Sequence, residues 1–245
     1  MSWATGRMCG FDLETTGTDV ESDRIVTACV VLCDGGQPVQ SSTWLADPGV
    51  NIPAAATAVH GVSSERARSK GRSAAEVVDE VTSALADALP RGIPVVAMNA
   101  RFDLTLLDRE CRRYGLPTLL DRVPDSVIWP VIDPLVIDKQ VDRYRRGSRT
   151  LEALCAHYRV ALDSAHEAAS DALGAARLAW RLGTQYPRLA AMDVEELHHC
   201  QIAWAAEQAV GLREYFLRTP GKEHMATGVS TEWPMVPSAH EGVTT

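Results

Sequence analysis

The 245-residue sequence contains no apolar run close to the roughly 20 residues of a membrane-spanning helix, so a membrane helix is not expected. Its start, Met1-Ser2-Trp3-Ala4-Thr5-Gly6-Arg7, does not form a secretory signal peptide. There is no Cys-x-x-Cys. The six cysteines (Cys9, Cys29, Cys33, Cys111, Cys155 and Cys200) fall mostly in apolar runs, which argues against a zinc site or a disulfide frame. Buried, reduced thiols in a cytoplasmic protein are expected instead. No Gly-rich phosphate loop or nucleotide-cofactor fingerprint is present, and no Gly-x-Ser-x-Gly elbow supports a serine hydrolase. Internal repeats and low-complexity blocks are missing too. Basic residues are outnumbered, 24 against 32 acidic, for a net charge of −8. That does not suggest a nonspecific nucleic-acid coat protein, and it leaves a nucleic-acid enzyme open, because local patches matter more than the sum.

What is present describes an ordinary globular chain, 46% hydrophobic and 23% charged, of a length for one large domain or one domain with an appendage. A buried strand ends in the turn at Gly17. The Val-rich run from Ile25 to Cys33, the turn signal Asp34-Gly35-Gly36-Gln37 and the segment from Val39 to Leu45 read as a hairpin. A short helix from Ala54 to His60 follows, then a polar, basic stretch from Ser63 to Arg72. Ser73-x-x-Glu76 predicts a capping box opening a helix that Pro90 stops. Ile93 to Met98 reads as a strand, and the helix after it runs to Gly115. Val131 to Ile137 reads as a last strand. Helices over Leu151 to Tyr158 and Ala168 to Leu182 complete the pattern. Strands first, then strands alternating with helices, imply an α/β layered fold with a mixed sheet.

Asp12 and Glu14 lie two residues apart in the first strand and so share a face. Side by side they repel one another unless a cation sits between them, and a hard divalent ion suits oxygen ligands. A solvated strand end is the plain alternative. Asp103 and Asp171 each fall near the start of a helix, where an Asp also serves as a cap or a dipole partner. Yet such a sheet brings strand ends and helix starts to one edge, so all four acids can meet there. His166 precedes Asp171 by five residues, about 140° round a continuous helix. To share a site with Asp171 it must lie in the loop before the helix. A histidine there, with an unperturbed pKa near 6.5, suits a general base; a plain surface histidine is the alternative.

Three segments, Phe11-Asp12-Leu13-Glu14-Thr15-Thr16-Gly17, Asn99-Ala100-Arg101-Phe102-Asp103 and His166-Glu167-Ala168-Ala169-Ser170-Asp171-Ala172, resemble the exonuclease motifs of the DEDDh (DnaQ-like) 3′–5′ exonuclease family. That family includes proofreading subunits of bacterial DNA polymerase III. His60-Gly61-Val62 is similar to another family element. Met98 stands where many members carry His, which predicts altered packing there and not lost activity. The resemblance spans residues 8–183.

The resemblance implies a ribonuclease H-like fold, a mixed five-stranded sheet flanked by helices, over residues 1–183. Residues 184–245 would form a C-terminal helical extension and tail. It implies release of nucleoside 5′-monophosphates from a nucleic-acid 3′ end, with two divalent cations, Mg²⁺ or Mn²⁺. Asp12, Glu14 and Asp171 would hold one cation, and Asp12 with Asp103 the second. His166 would take a proton from the attacking water, and Thr15, Thr16, His60 and Phe102 would hold the terminal nucleotide. Single-stranded DNA is the favoured substrate, with a ribonuclease T-like RNA-trimming role and a non-catalytic docking module as alternatives.

Two basic clusters, Arg66 to Arg72 and Lys139 to Arg149, are read either as phosphate-contacting grooves or as solvated loops. Asp193-x-x-Glu196 predicts a long helix to about Arg218 with Leu197, Cys200, Trp204, Leu212 and Tyr215 on one side. This stripe, within residues 193–218, would dock on its own domain, on a second copy or on a polymerase subunit. The segment from Pro220 onward reads as an extended tail.

Overall fold

The computed structural model describes residues 3–162 and 167–238. Three long strands, β1 (Arg7–Thr15), β2 (Ile25–Asp34) and β3 (Gln37–Asp47), form an antiparallel meander. Gly35 and Gly36, at φ 55° and 76°, make the β2–β3 turn, which needs left-handed backbone at both positions. Next come α1 (Ala54–His60), α2 (Ser64–Lys70), β4 (Arg72–Ser73), α3 (Ala74–Ala88) and β5 (Val95–Val96). They are followed by α4 (Ala100–Arg113), α5 (Leu119–Arg122), β6 (Val131–Ile132), α6 (Pro134–Val141) and α7 (Leu151–Tyr158). The chain continues through α8 (Ala168–Gln185), α9 (Pro187–Ala191) and α10 (Val194–Arg218). The sheet order is β4-β3-β2-β1-β5-β6, with β4, β5 and β6 joining in parallel. The mixed sheet flanked by helices matches the expectation, with a two-residue sixth strand added at the β3 edge.

The period-two pattern of β1 separates the two faces of the sheet. Cys9, Phe11 and Leu13 point into the larger core, with Val77, Val81 and Leu85 of α3 and Leu104 and Leu107 of α4. Gly10, Asp12 and Glu14 face the other way, toward α8. That helix presents small residues, Ala168, Ala172 and Ala176, to Cys29, Val31 and Cys33 of β2. All six cysteines are free, and five of them are buried.

Two local expectations are corrected, and one segment read only as polar proves helical. The run from Val131 to Ile137 is strand only at Val131–Ile132, because Asp133 caps α6 and Pro134 occupies its first turn. The polar stretch after Ser63 is helical, with the Ser63 hydroxyl accepting from the Arg66 amide. The capping box at Ser73 does not form: Ser73 makes no side-chain cap bond and pairs with Asp47 in the β3–β4 ladder.

The C-terminal extension covers the sheet's β6 edge. Gln201 of α10, fully buried, accepts from the Asp133 amide at 2.7 Å and donates to the Val131 carbonyl at 3.0 Å. His198 Nδ1 accepts from the Val131 amide at 3.2 Å. Two side chains thus occupy the edge positions a further strand would take. The buried stripe of α10 is Leu197, His198, Gln201, Ala205 and Ala209. The expected stripe is corrected at its far end, where Leu212 and Tyr215 are 44% and 52% exposed. The tail then returns along α4. The Val236 amide donates to Thr105 Oγ1 at 3.0 Å, Arg101 to the Ser230 carbonyl at 2.8 Å and Arg109 to the Pro237 carbonyl at 3.2 Å. Trp233 and Met235 are buried in the larger core. Among the described residues no helix is long and apolar enough to cross a membrane.

Candidate active site

Asp12, Glu14 and Asp171 each offer a carboxylate oxygen, and the three oxygens lie within 4.8 Å of one another. β1 supplies the first two by its alternation, and the first turn of α8 supplies the third. The helix comes this close because Gly10 has no side chain. A Cβ there would lie 2.4 Å from the Ala172 carbonyl oxygen, one residue beyond Asp171.

Asp103 comes from α4, whose Leu104 and Leu107 pack on the opposite face of β1 from α8, and it is not one of the three clustered acids. It sits in the first turn of α4, 4% exposed, and its Oδ1 accepts from the Leu13 amide at 3.1 Å. The amide that binds Asp103 therefore lies between Asp12 and Glu14 in the chain. The start of α4 is fixed in turn by Asp133, which the sequence reading did not single out. Its buried carboxylate accepts from the Asn99 amide at 3.1 Å and the Ala100 amide at 3.0 Å, while also capping α6. Asp133-Pro134 was the available signal, an N-cap residue followed by a first-turn proline. Asn99 adopts left-handed backbone at φ 67°, which Asn tolerates better than most residues.

Crowding controls the electrostatics. Burial pushes the Asp12 carboxyl well above the usual carboxylate range, and Asp103, Asp171 and Glu14 push it further. Burial and then Asp171 raise Glu14 to about 7. Burial also raises Asp103, against the pull of the Leu13 amide. Carboxylates held together at such a cost form a hard-oxygen donor set, and a divalent cation relieves the repulsion. The donor set therefore fits a metal.

A cavity of about 440 Å³ opens beside Glu14, lined among others by His60, Arg66, Trp44, Thr43 and Ala168. His60 closes α1, and its Nδ1 accepts from the Val62 amide at 3.2 Å. Burial lowers its pKa. Thr15 and Thr16 are close to Glu14 in the chain, but their hydroxyls hold the turn after β1. Thr15 Oγ1 donates to the Gly17 carbonyl at 2.5 Å and Thr16 Oγ1 to Asp23 at 2.6 Å. Phe102 is half-buried and packs against the larger core. Met98 packs partly against the second core cluster. His166 lies outside the described residues, and α8 begins after it, at Ala168. Arg66 was read in the sequence within a basic cluster that could contact phosphates, whereas Trp44 as a cavity wall and Gly10 as the seat of α8 were missed. Gly10 lies in a strand whose apolar pattern hides it, and Trp44 in an alternating hairpin arm gives no sign of a cavity.

Four cations of the basic clusters are paired with acids where they stand. Arg149 pairs with Asp138, Arg145 lies 3.7 Å from the same carboxylate, and Arg143 pairs with Glu207 at 3.2 Å. Arg72 binds Glu80 at 2.7 Å.

A family model described as "Exonuclease" matches residues 9–179. The DNA polymerase III PolC-type protein of Halalkalibacterium halodurans is 27% identical over 173 residues, covering 70% of this chain and 11% of that protein. The Clostridium perfringens protein of the same name is 27% identical over 168 residues, 69% of this chain and 10% of its own length. The chain thus spans about a tenth of these relatives. Among solved structures, exonuclease I superposes with a TM-score of 0.65 at 20% identity, over 75% of this chain and 42% of that one. E. coli exonuclease I in complex with a dT13 oligonucleotide gives 0.64 at 19% identity, over 75% and 42%. The fold, the acidic cluster and a family match spanning most of the sequence agree: the chain belongs to the DnaQ-like 3′–5′ exonuclease family.

Proposed function

We propose that this protein removes nucleoside 5′-monophosphates from the 3′ end of single-stranded DNA. The observation that carries the reading is the meeting of three carboxylate oxygens, from Asp12, Glu14 and Asp171, within 4.8 Å on the α8 face of β1. In this reading Asp12, Glu14 and Asp171 hold one Mg²⁺ or Mn²⁺, and Asp12 with Asp103 holds a second. When bound, the cations supply the Lewis acidity that offsets charge on the entering and leaving oxygens of an in-line phosphodiester displacement. The chain's own residues do the rest. His166, on the segment before α8, takes the proton from the attacking water. His60 and Arg66 line the cavity beside Glu14, where the terminal nucleotide lies, and Phe102, Thr15 and Thr16 help to hold that nucleotide. The leaving 3′-oxygen belongs to the shortened strand.

Two comparisons favour DNA: polymerases among the relatives, and an exonuclease I solved with a DNA oligonucleotide among the structural neighbours. By the same likeness the protein serves proofreading or repair in the cytoplasm, with a polymerase subunit as a partner. Digestion of matched single-stranded DNA, duplex DNA and RNA, each labelled at the 5′ end, tests the reading. Single-stranded DNA should be shortened fastest. Preference for RNA would move the assignment to a ribonuclease T-like trimming enzyme.

A further inference from the structure

A second cavity, of about 430 Å³, opens at the start of α4, and none of Asp12, Glu14, Asp103 and Asp171 lines it. Its walls include Asn99 and Arg101, Lys139 of α6, Gln208 of α10 and Trp233 of the tail. α10 and the tail lie beyond residue 179, where the family match ends, so this cavity is built partly by the extension. Its two acids are already engaged. Asp133 accepts four backbone amides, from Asn99, Ala100, Leu135 and Val136, and Glu207 pairs with Arg143.

Two of its cations are not engaged in this way. Lys139 is half-buried and makes no hydrogen bond or ion pair among the described residues. The Nε of Arg101 is buried without a partner, although its Nη1 donates to the Ser230 carbonyl. Burial lowers the Lys139 ammonium; Asp133 opposes this, and Arg149 and Arg101 reinforce it. Cations turned into one cavity repel each other just as the carboxylates do at the metal site. An anion with several acceptor oxygens relieves that repulsion, and phosphate suits the Arg and Lys geometry.

We propose that this cavity binds a phosphate group, and that in the working protein the group is a phosphodiester of the strand whose 3′ end lies at Asp12 and Glu14. The strand source rests on the exonuclease reading; the phosphate site does not. Arg101 lies two residues before Asp103 in the first turn of α4, so a strand held at both places would be gripped twice by the same turn of helix. The extension would then serve as a wall of the substrate path.

The test uses the full chain as wild type, Lys139→Gln and Lys139→Arg. Inorganic phosphate should raise the melting temperature of wild type and Lys139→Arg more than that of Lys139→Gln, which supplies the baseline for general salt stabilisation. Binding of a labelled oligothymidylate in EDTA should weaken about fivefold in Lys139→Gln. The slope of log affinity against log salt should become shallower by about 0.7, the value for one phosphate contact on a single strand. Equal phosphate responses in all three proteins overturn the site. A phosphate response lost in Lys139→Gln, with strand affinity and salt slope unchanged, overturns the strand source and assigns the cavity to free phosphate esters. A wild type that digests no nucleic acid removes the exonuclease reading and the strand source together, while the phosphate titration still decides the cavity.

Discussion

Gly10 and Ala172 stand so close that a Cβ on the glycine would lie 2.4 Å from the alanine carbonyl oxygen. The obstacle is backbone, which cannot rotate away as a side chain can. α8 is seated directly on β1, and this places Asp171 beside Asp12 and Glu14. Gly10→Ala should therefore lower stability by about 1–3 kcal/mol, the usual cost of overpacking. It should also weaken metal binding, since the helix that moves carries a ligand. A variant that melts lower but binds Mn²⁺ with wild-type affinity in calorimetry would separate the seat from the site.

Asp12 sits where the charges converge. Asp12→Ala should abolish cleavage and, in EDTA, leave the fold as stable as wild type or slightly more so, because like-charge repulsion is relieved. Paired thermal melts and a nuclease assay check both halves. Mg²⁺-dependent activity surviving in the variant would remove Asp12 from the site.

The Glu14 shift gives a dependence on pH with a definite sign. Its carboxyl binds protons more tightly in the folded state, at about 7 against an ordinary 4.5. In the metal-free protein, the stability this group contributes is present below pH 4.5 and is lost as pH rises to about 7. His198 acts oppositely. Burial lowers it from 6.5 to about 4, so its contribution is present above 6.5 and is lost as pH falls toward 4. Comparing wild type with Glu14→Gln in EDTA across this range isolates the first effect: the variant should lose less stability on going from acid to neutral pH. Metal should bind wild type more tightly as pH rises toward 7, because protons compete for Glu14. A metal affinity flat from pH 5 to 8 would contradict the assignment.

Much of the site was legible because simple periodicities govern it. Two-residue spacing on a strand put Asp12 and Glu14 on one face, and the helix starts held Asp103 and Asp171. The β6 edge was not legible. Val131 to Ile137 is apolar apart from Asp133, and only Asp133-Pro134 marks the switch from strand to helix. α10 was misread for a related reason. The search for an apolar stripe favoured Leu212 and Tyr215, whereas the helix docks through Gln201 and His198, polar side chains bonded to β6 backbone. Gly10 carries no pattern of its own; its role comes from a helix more than 150 residues away in the chain.

Gln201→Ala should cost about 2–4 kcal/mol, because it strands the buried Val131 carbonyl and Asp133 amide together. Truncation after Gly183 should do more, lowering the melting temperature and exposing the apolar surface beneath α10. Light scattering on the full chain should report a monomer if α10 serves only its own domain. A truncated form that melts unchanged would contradict the docking.

His166→Ala should slow turnover by about 10² to 10⁴ at neutral pH while metal binding changes little. Loss of one metal in calorimetry would make His166 a ligand and reassign the base.

The most direct test of the whole account is the length distribution of a 5′-labelled single strand digested with Mg²⁺, beside EDTA and Asp12→Ala controls. The account predicts a ladder that shortens one nucleotide at a time from the 3′ end, released as 5′-monophosphates, and no shortening in either control. Internal cuts, shortening from the 5′ end, or a ladder that persists in EDTA would contradict it.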